Sequence, residues 1–150
     1  MRARPSPAAE ARGQCPAAEA HGQSPPAPAN KASTRSRGKL HEQRALRFLA
    51  GKGLKLVRAN FHCRAGEVDL IMRDRQGCVV FVEVRYRASG HYGGALETIG
   101  PVKQRRLRLA ANLFLNTRNW QNQPCRFDVV AITGRGPGQA DRLEWTRDAF

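Results

Sequence analysis

At 150 residues the chain holds one domain's worth of sequence, and 26 Lys and Arg against 12 Asp and Glu give it a net charge of +14. No run of about 18 apolar residues occurs, so no membrane-spanning helix is expected, and the four cysteines (Cys15, Cys63, Cys78, Cys125) lack the C-x-x-C spacing of a zinc knuckle or a disulfide framework. A charge of this sign favours polyanions, so the expected partner is nucleic acid; with no membrane-spanning run, the expected location is the cytoplasm and no membrane contact is expected.

Met1 to Gly38 is built from Ala, Pro, Gly, Ser, Gln and Arg with no aromatic residue. Such a stretch buries too little surface to offset chain entropy, so residues 1–38 are expected to be a disordered tail and residues 39–150 a single domain. No continuous apolar core of a secretory signal follows the basic start.

Leu40, Ala45, Leu46 and Leu49 recur at helical spacing and predict a first helix over Lys39 to Ala50, ended by Gly51 and Gly53. Glu42 rides on or beside its apolar face. Leu54 to Asn60 reads as a strand, followed by a polar loop through His62, Cys63 and Arg64 to the turn-like Ala65-Gly66. A hairpin comes next, with arms Glu67 to Arg73 and Cys78 to Arg87 and the turn Asp74-Arg75-Gln76-Gly77.

In the second arm Cys78, Val80, Val82, Val84 and Tyr86 face one way, and Val79, Phe81, Glu83, Arg85 and Arg87 the other. Asp69 alternates with Glu67 and Ile71 and reaches the Glu83 side if the register allows. A glycine-rich loop, Ser89 to Gly94, leads to a helix over Pro101 to Asn116, with Pro101 in its first turn and an apolar stripe of Val102, Leu107, Leu109, Ala110, Leu113 and Phe114. Phe127 to Thr133 and Leu143 to Thr146 complete the strands.

Asp69 in G-E-V-D-L-I and Glu83 in V-F-V-E-V-R are carboxylates inside strands that otherwise read as apolar, and a buried carboxylate without a partner costs several kcal/mol. Two neutralising agents are open. One is an ion pair with Arg85 or Arg87. The other is a divalent cation, Mg²⁺ or Mn²⁺, which takes hard oxygen ligands and retains several waters. Asp69, Glu83, the backbone carbonyl of Val84 and Glu42 would hold it, and Arg85 would lean toward a scissile phosphate. Lys103, Gln104, Arg105 and Arg106 on the second helix, with Arg87, make a candidate nucleic-acid surface or a merely solvated basic face. Asp128, in R-F-D, is expected to be structural and arginine-paired, Glu67 solvated or arginine-paired, and His62 and His91 surface residues.

The stretches G-E-V-D-L-I, F-V-E-V-R-Y-R (Phe81 to Arg87), G-G-A-x-E (Gly93 to Glu97), K-Q-R-R-L (Lys103 to Leu107) and R-F-D-V-V (Arg126 to Val130) resemble the YraN family of bacterial proteins over Leu40 to Phe150. That family is similar to the PD-(D/E)xK nuclease superfamily, the restriction-endonuclease-like α/β fold with an αβββαβ core that includes Holliday-junction resolvases. The resemblance implies a metal-dependent nuclease acting on DNA rather than RNA, with branched or recombination intermediates as its substrate. It implies Asp69 as the central metal ligand, Glu83 as the second and Glu42 as the first-helix acid, with Lys103 or Gln104 as a polar partner from the following helix. The superfamily's usual lysine is replaced by Arg85. Arginine keeps its proton, which argues against a general-base role there and keeps open a nucleic-acid-binding protein of the same fold with little or no catalysis. A basic scaffold docking to another protein is the third reading, and its mark would be a large exposed apolar patch.

Overall fold

Alternating apolar residues in the central strands fill both faces of one sheet, and a helix covers each face. The computed structural model describes residues 31–88, 99–136 and 138–150. The elements are α1 (Lys31–Gly51), β1 (Lys55–Cys63), β2 (Gly66–Arg73), β3 (Val79–Arg87), α2 (Pro101–Thr117), β4 (Cys125–Thr133) and β5 (Arg142–Thr146). This is the αβββαβ order expected from the sequence, with the closing strand. The strands lie in the order β1-β2-β3-β4-β5. β3 and β4 run parallel while the other neighbours are antiparallel, so α2 serves as the crossover that a parallel pair requires.

On the α2 face Val79 and Phe81 pack with Leu107, Ala110, Ala111 and Phe114, and on the α1 face Val80 and Val82 pack with Ala45, Leu49, Leu70 and Met72. The alternation expected in the second hairpin arm is therefore observed. The hairpin turn is held by Asp74, whose Oδ1 accepts from the backbone N–H of Gln76 and of Cys78, each at 3.0 Å. Gly77 closes it at φ +87°, a conformation that glycine adopts without steric cost.

Several boundaries and faces differ from expectation. α1 begins at Lys31, ahead of Lys39, because apolar periodicity marks only the turns that touch the sheet and is blind to the polar turns before them. The rest of the expected tail, residues 1–30, lies outside the described residues, as do the glycine-rich loop, the Gly93–Glu97 stretch and His91. β1 runs on through His62 and Cys63, expected as loop, because they pair with Glu67 and Gly66, and a ladder satisfies backbone groups whatever the side chain. Leu40, Val102 and Leu109, expected on apolar faces, are exposed. α2 buries only the stripe Leu107-Ala110-Ala111-Phe114-Leu115, and Val102 and Leu109 project to either side of it. Among the described residues no helix is long and apolar enough to cross a membrane.

Candidate active site

The sheet is locally opened around Asp69. In the β1–β2 ladder Ala59 pairs with Leu70 and Phe61 with Val68, while Asn60 between them takes a left-handed conformation at φ +51°. Asparagine tolerates that region better than most residues because its short polar side chain bonds locally. The β2–β3 ladder reaches Leu70–Val82 and goes no further toward Asp69. Val68 accordingly joins the α2-side core with Ile71 instead of alternating with it. The Val84 N–H, free of the β2 ladder, donates to Asp69 Oδ2 at 2.8 Å. Burial, and after it the negative charge of Glu83, push the Asp69 carboxyl up to about 7, against the opposing influence of the Val84 N–H and Lys103.

Glu83 lies on the α2 face of β3 and is only 6% exposed. Arg85, two residues on and therefore on the same face, brings Nε to 3.5 Å from Glu83 Oε1 while its own side chain stays half-exposed. Lys103, in the first turns of α2, places Nζ 3.2 Å from Glu83 Oε2. This contact is an ion pair, and buried Oε2 has no other partner among the described residues. Burial raises the Glu83 pKa, and the charges of Lys103 and Arg85 resist the rise. Lys103 Nζ also stands 4.0 Å from Glu67 Oε1, and His62 Nδ1 3.4 Å from Glu67 Oε2. Glu67 is exposed, as the solvated reading expected, and its charged neighbours are lysine and histidine instead of arginine.

Of the residues singled out in the sequence, the structure brings Asp69, the Val84 backbone, Glu83, Arg85 and Lys103 together. Glu42 comes from α1, on the opposite face of the sheet from Glu83. Its charge reaches Asp69 and adds to the upward push on that carboxyl. Among the described residues, however, no three His, Cys, Asp or Glu side chains gather closely enough to hold one metal ion. Gln104 does not point its amide into the site; Nε2 donates to the Ile99 carbonyl at 2.8 Å and ties down the helix start. Arg105 and Arg106 are exposed and Arg87 is half-buried.

One feature was not foreseen, and one expectation was met. A cavity of about 300 Å³ lined by His62, Cys63, Gly66, Glu67, Lys103 and Arg106 opens beside the carboxylates. Gly66 forms part of its wall at φ +154°, where a Cβ would lie 3.3 Å from Arg106 Cβ, so the glycine of G-E-V-D-L permits the close approach of hairpin and helix. Asp128, expected to be structural, is buried and receives Arg126 Nε at 3.1 Å, Trp145 Nε1 at 3.0 Å and the Asp148 N–H at 3.0 Å. Arg126 also pairs with Asp74 at 2.6 Å, which ties the β2–β3 turn to β4.

The carboxylate pair fits a hard divalent cation. Buried Glu83 and half-buried Asp69 are both held above their ordinary pKa, and Glu83 Oε2 lacks a hydrogen bond. A magnesium or manganese ion that keeps most of its waters needs only one to three such ligands.

The model of "Uncharacterised protein family UPF0102" matches residues 41–132, well over half of the chain. The chain belongs to this family. A UPF0102 protein of Nitrosococcus oceani is 50% identical over 120 residues, covering 79% of this chain and 94% of that protein. One from Pseudomonas entomophila is 50% identical over 121 residues, with 79% and 96% covered, and one from Cupriavidus pinatubonensis is 48% identical over 120 residues, with 80% and 89% covered. The UPF0102 match agrees with the YraN resemblance carried by the sequence motifs. It spans Asp69, Glu83, Arg85 and Lys103 and therefore the whole carboxylate cluster.

Proposed function

We propose that this UPF0102 protein is a metal-dependent nuclease that hydrolyses phosphodiester bonds in DNA, branched or recombination intermediates included. The supporting observation is the pairing of half-buried Asp69 with buried Glu83 where the β2–β3 ladder ends, with Lys103 and Arg85 against Glu83 on the same face. Mg²⁺ or Mn²⁺ held by Asp69 and Glu83, with the Val84 carbonyl as a further oxygen, would neutralise phosphate charge and make a bound water nucleophilic.

The chain's own residues have separable tasks. Asp69 is oriented by the Val84 N–H and must lose its proton to ligate, which its pKa of about 7 permits at neutral to mildly alkaline pH. Arg85 remains charged throughout, so it stabilises developing negative charge on phosphate oxygens and takes no proton. Lys103 balances Glu83 until the cation arrives and is then placed to contact the same phosphate. Arg87, Arg105 and Arg106 supply the electrostatic hold on the strand.

A panel of linear, nicked, flapped and four-way-junction DNA with Mg²⁺ or Mn²⁺ tests this reading. Cleavage by wild type should disappear in Asp69→Ala and Glu83→Ala with binding retained, and persistent cleavage in both variants would sink it. One observation favours a second reading, nucleic-acid binding without chemistry. Lys103 already stands against Glu83 as a built-in counter-ion, and Arg85, two residues beyond Glu83, stands where the superfamily's usual lysine would be. In that case calorimetry would detect no saturable metal binding.

A further inference from the structure

The turn between β2 and β3 is flanked by two concave basic surfaces. On the α1 side a cavity of about 170 Å³ is lined by Lys52, Asp74, Arg75, Arg126, Trp145 and Arg147, among others. On the α2 side a second, of about 510 Å³, is lined by Lys55, Arg73, Asp74, Arg75 and Trp120 with neighbouring backbone. Arg75 and Asp74 belong to both, so the two cavities adjoin at the turn. Six cations line them against a single acid, Asp74, and that acid is taken up by Arg126.

The imbalance is not relieved nearby. Lys52, Lys55, Arg75 and Arg147 are exposed, and none pairs with a carboxylate among the described residues. Their surroundings are built: Arg147 stacks over Trp145 at 4.1 Å, Arg73 over Trp120 at 5.1 Å, and Lys52 lies over Phe48 at 5.5 Å. Flat guanidinium and ring surfaces therefore hold the charges in place instead of leaving them on free stems. Cations held close together without acids repel one another, and the loss is recovered only when an anion binds.

We propose that this end of the sheet is a second nucleic-acid contact, a site for the phosphate backbone of a duplex, separate from the carboxylate cluster. The spacing suits a single duplex touching both. Along β3, Val79 beside the turn and Glu83 are four residues apart, roughly 13 Å. At about 3.4 Å per base pair that spans about four base pairs. α2 runs between the two places: Lys103 in its first turns faces Glu83, and Trp120, just past its end, lines the larger cavity. A phosphate backbone suits the surface better than a compact acidic ligand, because the cations are spread across two adjoining concavities.

The test compares two triple variants of the full chain binding a 24-base-pair duplex in EDTA, so that it does not depend on whether the Asp69–Glu83 pair cleaves anything. One is Lys52→Gln with Arg75→Gln and Arg147→Gln. The other removes equal charge from exposed arginines that line neither cavity, Arg47→Gln with Arg58→Gln and Arg135→Gln. The cavity triple should lose at least fivefold more affinity than the control, and its slope of log K against log salt should flatten by about two to three. The single Lys52→Gln variant should flatten it by about one and guards against misfolding of the triple. A smaller difference between the triples, an unchanged slope, or no duplex binding by wild type overturns the proposal.

Discussion

Lys103 Nζ stands 3.2 Å from Glu83 Oε2, so a lysine of the crossover helix balances a carboxylate buried in the central strand. Neither residue could be tied to the other by spacing along the chain. Replacing Lys103 by Met removes the strongest influence holding the Glu83 pKa down and leaves that carboxylate with Arg85 as its remaining close cation. The expected cost is about 1–3 kcal/mol at pH 8, read from urea unfolding of the metal-free protein. Lys103→Arg should recover most of it.

Asp69 makes stability fall as pH rises. Its folded pKa of about 7 exceeds the ordinary 3.8, so between those values the folded state holds a proton that the unfolded chain has lost. The contribution is fully present below about pH 3.8 and is gone once pH has passed through about 7. Asp69→Asn keeps an oxygen to accept from the Val84 N–H but cannot ionise. The variant should be more stable than wild type by about 2–4 kcal/mol at pH 8 and indistinguishable from it near pH 4, measured by chemical unfolding across pH. Equal stability at both pH values would show that the carboxyl is not perturbed.

A divalent cation should reverse that penalty. Mn²⁺ or Mg²⁺ at 100 times its dissociation constant stabilises the folded state by about 2.7 kcal/mol. Wild type should therefore melt at higher temperature with the ion than with EDTA, and more so at pH 8 than at pH 6, because the ion competes with the proton on Asp69. Glu83→Gln should lose the metal-dependent increase, and Glu42→Gln should retain most of it, since Glu42 comes from α1 on the opposite face of the sheet from Glu83.

Asp128 is expected to matter for folding and not for the site. Asp128→Asn weakens a buried carboxylate that serves Arg126, Trp145 and the Asp148 backbone at once. The loss should be about 3 kcal/mol in equilibrium unfolding. Metal-dependent stabilisation of the fraction that remains folded should be unchanged.

Much of this arrangement was legible in the residues themselves. Period-two alternation in Val79–Val84 assigned each side chain of the central strand to its face, because pleating leaves no other choice once both faces are buried. The same rule put Arg85 beside Glu83. Asp74-Arg75-Gln76-Gly77 was recognisable as a turn from its own chemistry, an Asx acceptor and a glycine at positive φ. The polar turns of α1 before Lys39 were not legible, since nothing apolar marks a helix surface that faces water.

The amino-acid sequence by itself determined the order of elements, the two-sided core and the presence of two carboxylates in strands, because each follows from local periodicity or from the cost of burying charge. Only the tertiary structure decided which groups meet those carboxylates. The left-handed backbone at Asn60 and the end of the β2–β3 ladder accompany the Asp69 contact with the Val84 N–H, the crossover brings Lys103 to Glu83, and α1 puts Glu42 on the far face. Those contacts depend on register and on how helices seat on a sheet, which are properties of packing between distant segments and leave no periodic trace in the chain.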